Sequence, residues 1–500
     1  VTALRSRPSR GLRLPLEALV FAVGMSTLGS EIAAARLMAP FFGSSTIIWA
    51  NTIAVVLLAL SVGYKVGGML ADRRPDPDSL RVLVLAGSAL LAVVPFIAHP
   101  FLSLSVRAFE ELSAGAFTAS LFGTLVLVAT PLLLLGAVSP WATRLRLAHV
   151  EEAGSVAGRL YAISTIGSLA GVFFVALWSI EAIGTQRTFL VLATIPALVA
   201  ALGFGVRALI VPIAIAAALL VPPGTTKGGD GVLYEKETPY QYARVVERPD
   251  GTRRLELNEG QAVHSLWRPG TVLTGGYWDG FLVLPFATGK PPERIAALGT
   301  AGGTVPRAYA KYFPETRIDA VDIDPELFEI GHRYFGLQER PQLREIAEDA
   351  RPFLRRTNER YDSIFVDAYR QPYIPFYLTT REFFQLAQDR LKPGGSVIIN
   401  IGHPEESQAL EQALSATMGE VFEHVAREPI QRLNSLVIAS DAPLTAEALR
   451  NAQVPGELRP LALESAGRLA PALRGGDVFT DDRAPVEWLI DGSIVEYAAG

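Results

Sequence analysis

The sequence predicts a multi-pass α-helical membrane domain followed by an α/β domain built on a doubly wound, mostly parallel sheet. Three observations carry this expectation. Half of the 500 residues are apolar and only 19% are charged, and the apolar excess lies before residue 222. A Gly/Pro-rich stretch, VPPGTTKGGDGV from Val221 to Val232, separates the two halves. Beyond it, strand-like and helix-like segments alternate, the pattern of βαβ units. The length alone calls for two or more domains.

The first half reads as a series of membrane spans. LEALVFAVGMSTLGSEIAAARLM (Leu16 to Met38) and IIWANTIAVVLLALSVGYKVGGMLA (Ile47 to Ala71) are long enough to cross the hydrocarbon. Further apolar segments lie at 80–99, 119–139, 157–180, 188–205 and 207–222. A cleaved signal peptide would be followed by polar sequence, not by such an array. Gly63-x-x-x-Gly67 and Gly167-x-x-x-Gly171 provide small faces for close helix approach. Glu31, Arg36 and Lys65 lie in or near spans; Glu31 is a candidate for a ligand or ion role, and the two cations suit snorkelling or pairing near span ends. The loops carrying Arg5, Arg7, Arg10 and Arg13, then Arg73, Arg74 and Arg81, then Arg144 and Arg146, are the basic ones, which places the N-terminal side in the cytosol.

Composition excludes several classes. The net charge of -5 leaves no electrostatic footprint for nucleic acid. With no cysteine there is no disulfide, thiolate nucleophile or cysteine zinc site. The six histidines show no HExxH or comparable spacing, so no metal is expected.

After the linker, the turn Pro249-Asp250-Gly251 breaks strand-like segments, which predicts a small antiparallel β-subdomain. Strands are then expected at 294–299, 317–323, 343–347, 362–367, 396–401, 420–426 and 433–440, and helices at 304–313, 325–335, 350–357, 380–391 and 406–418. Thr379-x-x-Glu382 is a capping box for the fourth helix. Ligands of such sheets bind beyond the carboxyl ends of the strands. There, IAALGTAGGTV runs a strand into a turn whose Gly299, Gly302 and Gly303 allow close backbone approach. Asp322 ends the next strand, where a carboxylate can accept both hydroxyl hydrogens of a ribose. Asp324, before Pro325, suits a helix cap. Asp349 ends the third strand, either as a helix cap or as acceptor for an adenine amino group. Asp367 ends the fourth, in YDSIFVDAYRQPYIPFYLTTREFF. A Gly turn followed by three strand-end acids outlines a site for an adenosine-bearing ligand. No G-x-G-x-x-G is present, so an S-adenosyl compound fits better than a dinucleotide.

On these residues the second half resembles the spermidine synthase, or polyamine aminopropyltransferase, family in its membrane-fused bacterial form. The resemblance covers about residues 233 to 440, and SEIAAARLMAPFFGSS and the closing FTDDRAPVEWL look like the fused subgroup. It implies a Rossmann-like, methyltransferase-type fold with a small N-terminal β-subdomain. The resulting division is 1–222 transmembrane, 223–232 linker, 233–285 β-subdomain and 286–500 catalytic domain. YEKETPYQ would bring Gln241 to the thioadenosine part, LNEGQAV would bring Gln261 to nucleoside or amine, and YWDGFLVLP would turn Tyr277 toward the reacting amine. Asp322 falls on the family's ribose-binding acid. Asp349, with Ala350 after it, falls on the adenine-reading acid, and Asp367 on the proton acceptor. Gly299 and Gly302 would form the nucleotide turn. Departures stand beside these matches. The family's second diamine-binding acid is Arg370 here, the acid of its Gly-rich turn is Gly302, and Trp278 replaces a histidine. Asp279, Glu259, Asp481 and Asp482 are the acids available to compensate.

The implied activity is transfer of an aminopropyl group from decarboxylated S-adenosylmethionine, a co-substrate, to an amine such as putrescine, with no tightly bound cofactor. The implied partners are those small molecules and the bilayer, with a homodimer as candidate assembly. Alternatives are another S-adenosyl-dependent transferase, such as a methyltransferase, and a membrane transporter or sensor whose soluble half binds adenosyl or polyamine ligands. An intracellular donor requires a cytosolic catalytic half and an even number of crossings. Hydropathy gives seven, so six or eight are expected, the count turning on 100–118 and 188–222.

Overall fold

The computed structural model describes residues 16–42, 46–111, 115–204, 206–222, 229–258, 262–369, 373–402 and 407–490. The chain divides into two compact units, Val1–Gly228 and Gly229–Gly500.

The first unit is a helical bundle: α1 (Leu16–Phe42), α2 (Thr46–Arg73), α3 (Pro77–Glu111), α4 (Ser120–Arg146), α5 (Val150–Leu202) and the short α6 (Val206–Ala218). Five of these are long and apolar enough to cross a membrane by length and composition. Leu57, Leu58, Phe173 and Leu177 are exposed on its outer faces, an arrangement suited to apolar surroundings. Inside, glycines set the helix spacing. A Cβ on Gly167 or Gly171 of α5 would stand 2.2 Å from the Phe21 carbonyl oxygen or 2.1 Å from that of Met25, both on α1. A Cβ on Gly63 or Gly67 of α2 would stand 2.3 Å from the Leu133 carbonyl oxygen or 2.5 Å from the Ala137 Cα, both on α4. Glu31 is half-buried on α1, whereas Lys65 is exposed.

The segments expected at 157–180 and 188–205 fall on the two arms of α5, which meet at Gly184, where the backbone leaves the helix with φ at +79°, and the second arm ends at Leu202. Glycine takes that left-handed conformation at little cost. Ser179 Oγ and Thr188 Oγ1 meet across the bend at 2.6 Å. The stretch 100–111 is the end of α3, which continues through Pro95 and Pro100, not a separate span.

Charged groups gather at one end of the bundle. Glu17, opening α1, pairs with Arg146 at the end of α4 (2.7 Å) and with Arg159 of α5 (3.4 Å). Arg144 pairs with Asp72 at the end of α2, and the Arg81 guanidinium lies against Gly203, just past α5.

In the second unit, β1 (Val232–Glu237), β2 (Tyr242–Glu247), β3 (Arg253–Leu257) and β4 (Val263–Trp267) form a four-stranded antiparallel sheet. An eight-stranded sheet contains β5 (Arg294–Leu298), β6 (Arg317–Asp322), β7 (Leu343–Ala347), β8 (Tyr361–Val366), β9 (Leu391–Gly402), β10 (His424–Gln431), β11 (Asn434–Ser440) and β12 (Ala470–Pro471), in the order β12-β10-β11-β9-β8-β5-β6-β7. The strands from β9 across to β7 are parallel, and β11, β10 and β12 are antiparallel. One face is covered by α9 (Ala350–Arg356), α10 (Arg381–Asp389) and α11 (Ala409–Gly419), with Phe353, Phe383 and Leu414 in the core. The other is covered by α7 (Thr304–Tyr312), α12 (Ala446–Arg450) and α13 (Arg459–Arg468). The helix α8 (Pro325–Ile330) packs under the small sheet.

Differences from expectation are local. The strand expected at 420–426 begins at His424, because Glu420–Phe422 close the end of α11. α12, α13 and β12 were not expected. The capping box shifts by one residue. Thr379 closes the preceding turn onto the Phe376 carbonyl, and Thr380 is the cap, accepting from the Phe383 amide. Trp278, Phe281 to Leu284, Phe286 and Ala287 pack with Ile295 and Phe365 of the large sheet.

Overpacking a close contact costs about 1–3 kcal/mol. Gly171→Ala is therefore expected to lower the thermal midpoint of the full chain by several degrees, while Gly158→Ala, with nothing within 4 Å of the added carbon, leaves it unchanged. Thermal denaturation in detergent compares the two.

Candidate active site

The sheet reverses its order of connection at β5, which has β6 on one side and β8 on the other. Register then places the strand ends in one row. Val366 pairs with Ile399 and Leu298, Leu298 with Val321, and Asp322 with Ala347. The next residue of each strand brings Asn400, Asp367 and Gly299 side by side, with Asp322 beyond them. Gly299, at φ +87°, is required by this crowding: a Cβ there would lie 2.4 Å from the Asp367 carbonyl oxygen.

Asp367 lies at the centre of the row. Its Oδ2 accepts from the Tyr277 hydroxyl at 3.1 Å, and its Oδ1 accepts from Asn400 Nδ2 at 2.8 Å. Tyr277 stacks on Trp278, with ring centroids 4.3 Å apart. Burial pushes the Asp367 carboxyl up to about 7, against the pull of Asn400, Tyr277 and Trp278. Burial, and then the neighbouring Asp367 charge, hold the Tyr277 phenol well above its ordinary value, so it remains a donor. A small cavity bounded by Trp278, Phe281, Gly299, Thr300, Thr304 and Asp367 adjoins this pair.

Asn400 escaped the sequence reading, as did its supports. Its Oδ1 accepts from Asn434 Nδ2 at 3.0 Å, and its carbonyl accepts from the Tyr369 hydroxyl at 3.0 Å. The signal was present in SVIIN, an apolar run ending in one amide beside the strand that ends in Asp367.

At the other end of the row, Asp322 Oδ2 accepts from the Ala301 amide (2.8 Å) and Oδ1 from the Asp324 amide (3.1 Å), tying the Gly turn to β6. Burial raises its carboxyl to about 6. Asp324 caps α8 through the Glu326 amide, and its other oxygen takes the Thr238 hydroxyl (2.6 Å) and Gln241 Nε2 (3.1 Å). Gln241 is thereby held on Asp324, just past the end of β6. Asp349 caps α9 through the Arg351 amide (2.9 Å), and its Oδ2 accepts from the Tyr377 hydroxyl (2.6 Å). Ala350 is buried behind it. Gly302 donates to Ser265 Oγ at 2.8 Å, and a Cβ on it would meet Ser265 and Phe335 at 3.2 Å. Gly302 is thus packed against β4.

Two of the acids expected to be available for compensation have partners within the protein. Asp279 receives the amides of Thr274 and Gly275 and the Thr274 hydroxyl. Asp481 is bound by Arg351. Asp482 is exposed. Glu259, Gln261 and Arg370 lie outside the described residues.

Residues 280–431 match the spermine/spermidine synthase domain. A probable polyamine aminopropyl transferase of Bifidobacterium longum (strain NCC 2705) is 31% identical over 224 residues, 45% of this chain and 47% of its own. The polyamine aminopropyltransferase of Vibrio vulnificus (strain CMCP6) is 39% identical over 112 residues, 22% of this chain and 38% of its own. The chain thus spans less than half the length of these two curated relatives. Among solved structures, a probable spermidine synthase from Corynebacterium glutamicum ATCC 13032 is similar with a TM-score of 0.38 at 22% identity, over 50% of this chain and 97% of that one. The segment that matches this domain contains Gly299, Asp322, Asp349, Asp367 and Asn400, the row of residues at the strand ends.

Proposed function

We propose that the chain is a membrane-anchored polyamine aminopropyltransferase. It moves the aminopropyl group of decarboxylated S-adenosylmethionine to an amine such as putrescine, giving spermidine and methylthioadenosine. The observation that carries this is the Asp367–Tyr277 pair at the switch point of the sheet, within a spermine/spermidine synthase domain. The amine nitrogen attacks the propyl carbon bonded to the sulfonium sulfur. The carbon–sulfur bond breaks with its electron pair on sulfur, so methylthioadenosine leaves as a neutral thioether. The amine must first lose a proton, and Asp367 accepts it. A carboxyl titrating near 7 is a stronger base than an ordinary aspartate and is about half ionised at neutral pH. Tyr277 and Asn400 fix its two oxygens, which sets the line of approach. Asp322 is assigned to the ribose hydroxyls and Asp349 to the adenine amino group. The donor is a co-substrate and no resident cofactor is needed. A methyl transfer on the same fold is the second reading; the packed seat at Gly302, where a diamine-binding acid would stand, favours it.

The N-terminal unit is the membrane anchor in this proposal. Six crossings are assigned to α1, α2, α3, α4 and the two arms of α5 about Gly184. The ion pairs of Glu17, Asp72, Arg144 and Arg146, with the Arg81–Gly203 contact, support a common side for the start of α1 and the end of α5. The basic loops assign that side to the cytosol. At 1.5 Å per residue, α6 is about 20 Å long, short of the roughly 30 Å hydrocarbon. Residue 222 then stays on the cytosolic side, where the donor is made.

Purified full chain, incubated with decarboxylated S-adenosylmethionine or S-adenosylmethionine and a panel of amines, with products identified by mass spectrometry, separates the two transferase readings. Asp367→Asn is expected to cut turnover about 100-fold or more while methylthioadenosine binding stays near normal; near-normal turnover removes Asp367 as the base. The pH profile has a definite sign. Only the ionised carboxylate accepts the proton, so log kcat/KM rises with pH toward unit slope below about 7, the value to which burial lifts Asp367, and levels off above it. A flat profile from pH 6 to 8 contradicts this. A reporter fused after residue 222 is expected to give a cytosolic signal, and a periplasmic one refutes the six-crossing assignment.

A further inference from the structure

The closing motif FTDDR, Phe479 to Arg483, has no part in the proposed chemistry, yet it reaches the nucleoside end of the site. Phe479 is buried, with its amide on Thr417 Oγ1 and its carbonyl accepting from the Arg381 amide. The next turn brings Asp481 to Arg351. Arg351 Nη1 and Nη2 donate to the two Asp481 oxygens at 2.7 and 2.6 Å, a bidentate, charge-assisted pair. The Thr380 hydroxyl adds a third bond to Asp481 at 2.7 Å. Arg351 Nη1 also donates to the Tyr377 carbonyl at 3.0 Å, while its amide and the Tyr377 hydroxyl occupy the two oxygens of Asp349. Asp349, Arg351 and Tyr377 therefore form a closed ring of hydrogen bonds, and Asp481 fixes the guanidinium that closes it.

We infer that the Arg351–Asp481 ion pair is a positioning device for the nucleoside end of the site, holding Asp349 and Tyr377 as one unit; this rests on the adenosyl reading given above. The guanidinium side chain is only 10% exposed, so loss of Asp481 leaves a nearly buried cation without its counter-charge. The guanidinium then turns toward solvent and releases the Tyr377 carbonyl. The Tyr377 hydroxyl in turn leaves Asp349, whose second oxygen is no longer held in one direction. Asp367 has no bond in this ring, so the effect falls on nucleoside affinity more than on chemistry.

The test is a double-mutant cycle on the full chain in detergent, with methylthioadenosine binding read by calorimetry. Asp481→Ala and Tyr377→Phe are each expected to weaken binding about 10-fold, and the double variant also about 10-fold, not 100-fold, because both break the same ring. For Asp481→Ala the donor KM rises by a larger factor than kcat falls. Asp481→Asn, which keeps one acceptor oxygen, lies between. Thermal midpoints are recorded for every variant. If Asp481→Ala does not fold, Asp481→Asn and Arg351→Lys carry the cycle with Tyr377→Phe. Effects that multiply, or Asp481 variants that bind as the unaltered chain does, overturn the inference. Failure of the unaltered chain to bind methylthioadenosine overturns the adenosyl reading itself, and the two failures are told apart by that first titration.

Discussion

The site depends on strand register. Five parallel strands, β9, β8, β5, β6 and β7, run in register, and that alignment alone puts Asn400, Asp367, Gly299 and Asp322 in one row. A one-residue slip of β8 would turn Asp367 to the opposite face and replace it with an apolar neighbour. The close pass of the Asp367 backbone over Gly299 reinforces the register.

The acids differ in their environments. The groups that hydrogen-bond Asp367 are neutral: Asn400, Tyr277 and Trp278. They orient the carboxylate without supplying a positive charge, so burial prevails and basicity is kept. Asp481 is the contrast. Arg351 beside it holds its carboxyl below the usual range, which makes it a permanent anion and a poor base.

Much of this arrangement was legible in the sequence because it is written locally. An apolar run ending in an acid marks a strand end, and Asp324 before Pro325 marks a helix start; both appear at those positions. What was not legible depends on partners distant in sequence. Asn400 is significant only because β9 lies beside β8, and Asp279 looked available until Thr274 and Gly275 were seen to surround it. The one-residue shift from Thr379 to Thr380 has the same origin: two adjacent threonines are equal as caps, and the turn ending at Leu378 claims the first. In the bundle, hydropathy located the apolar segments but not the bend at Gly184, since one glycine's backbone angle leaves no mark on an average over twenty residues.

Asp324 has a consequence for the timing of motions. One carboxylate caps α8 and also anchors the Thr238 hydroxyl and the Gln241 amide from the small sheet, with no exposure to solvent. The small sheet cannot lift from the helix without fraying its first turn, and the helix cannot fray without releasing the sheet. Openings on the two sides are therefore one kinetic event. The backbone amide of Glu326, bonded to Asp324, and that of Gln241, bonded to Thr238, will exchange hydrogen with solvent at a shared rate, set by the slower of the structures they belong to.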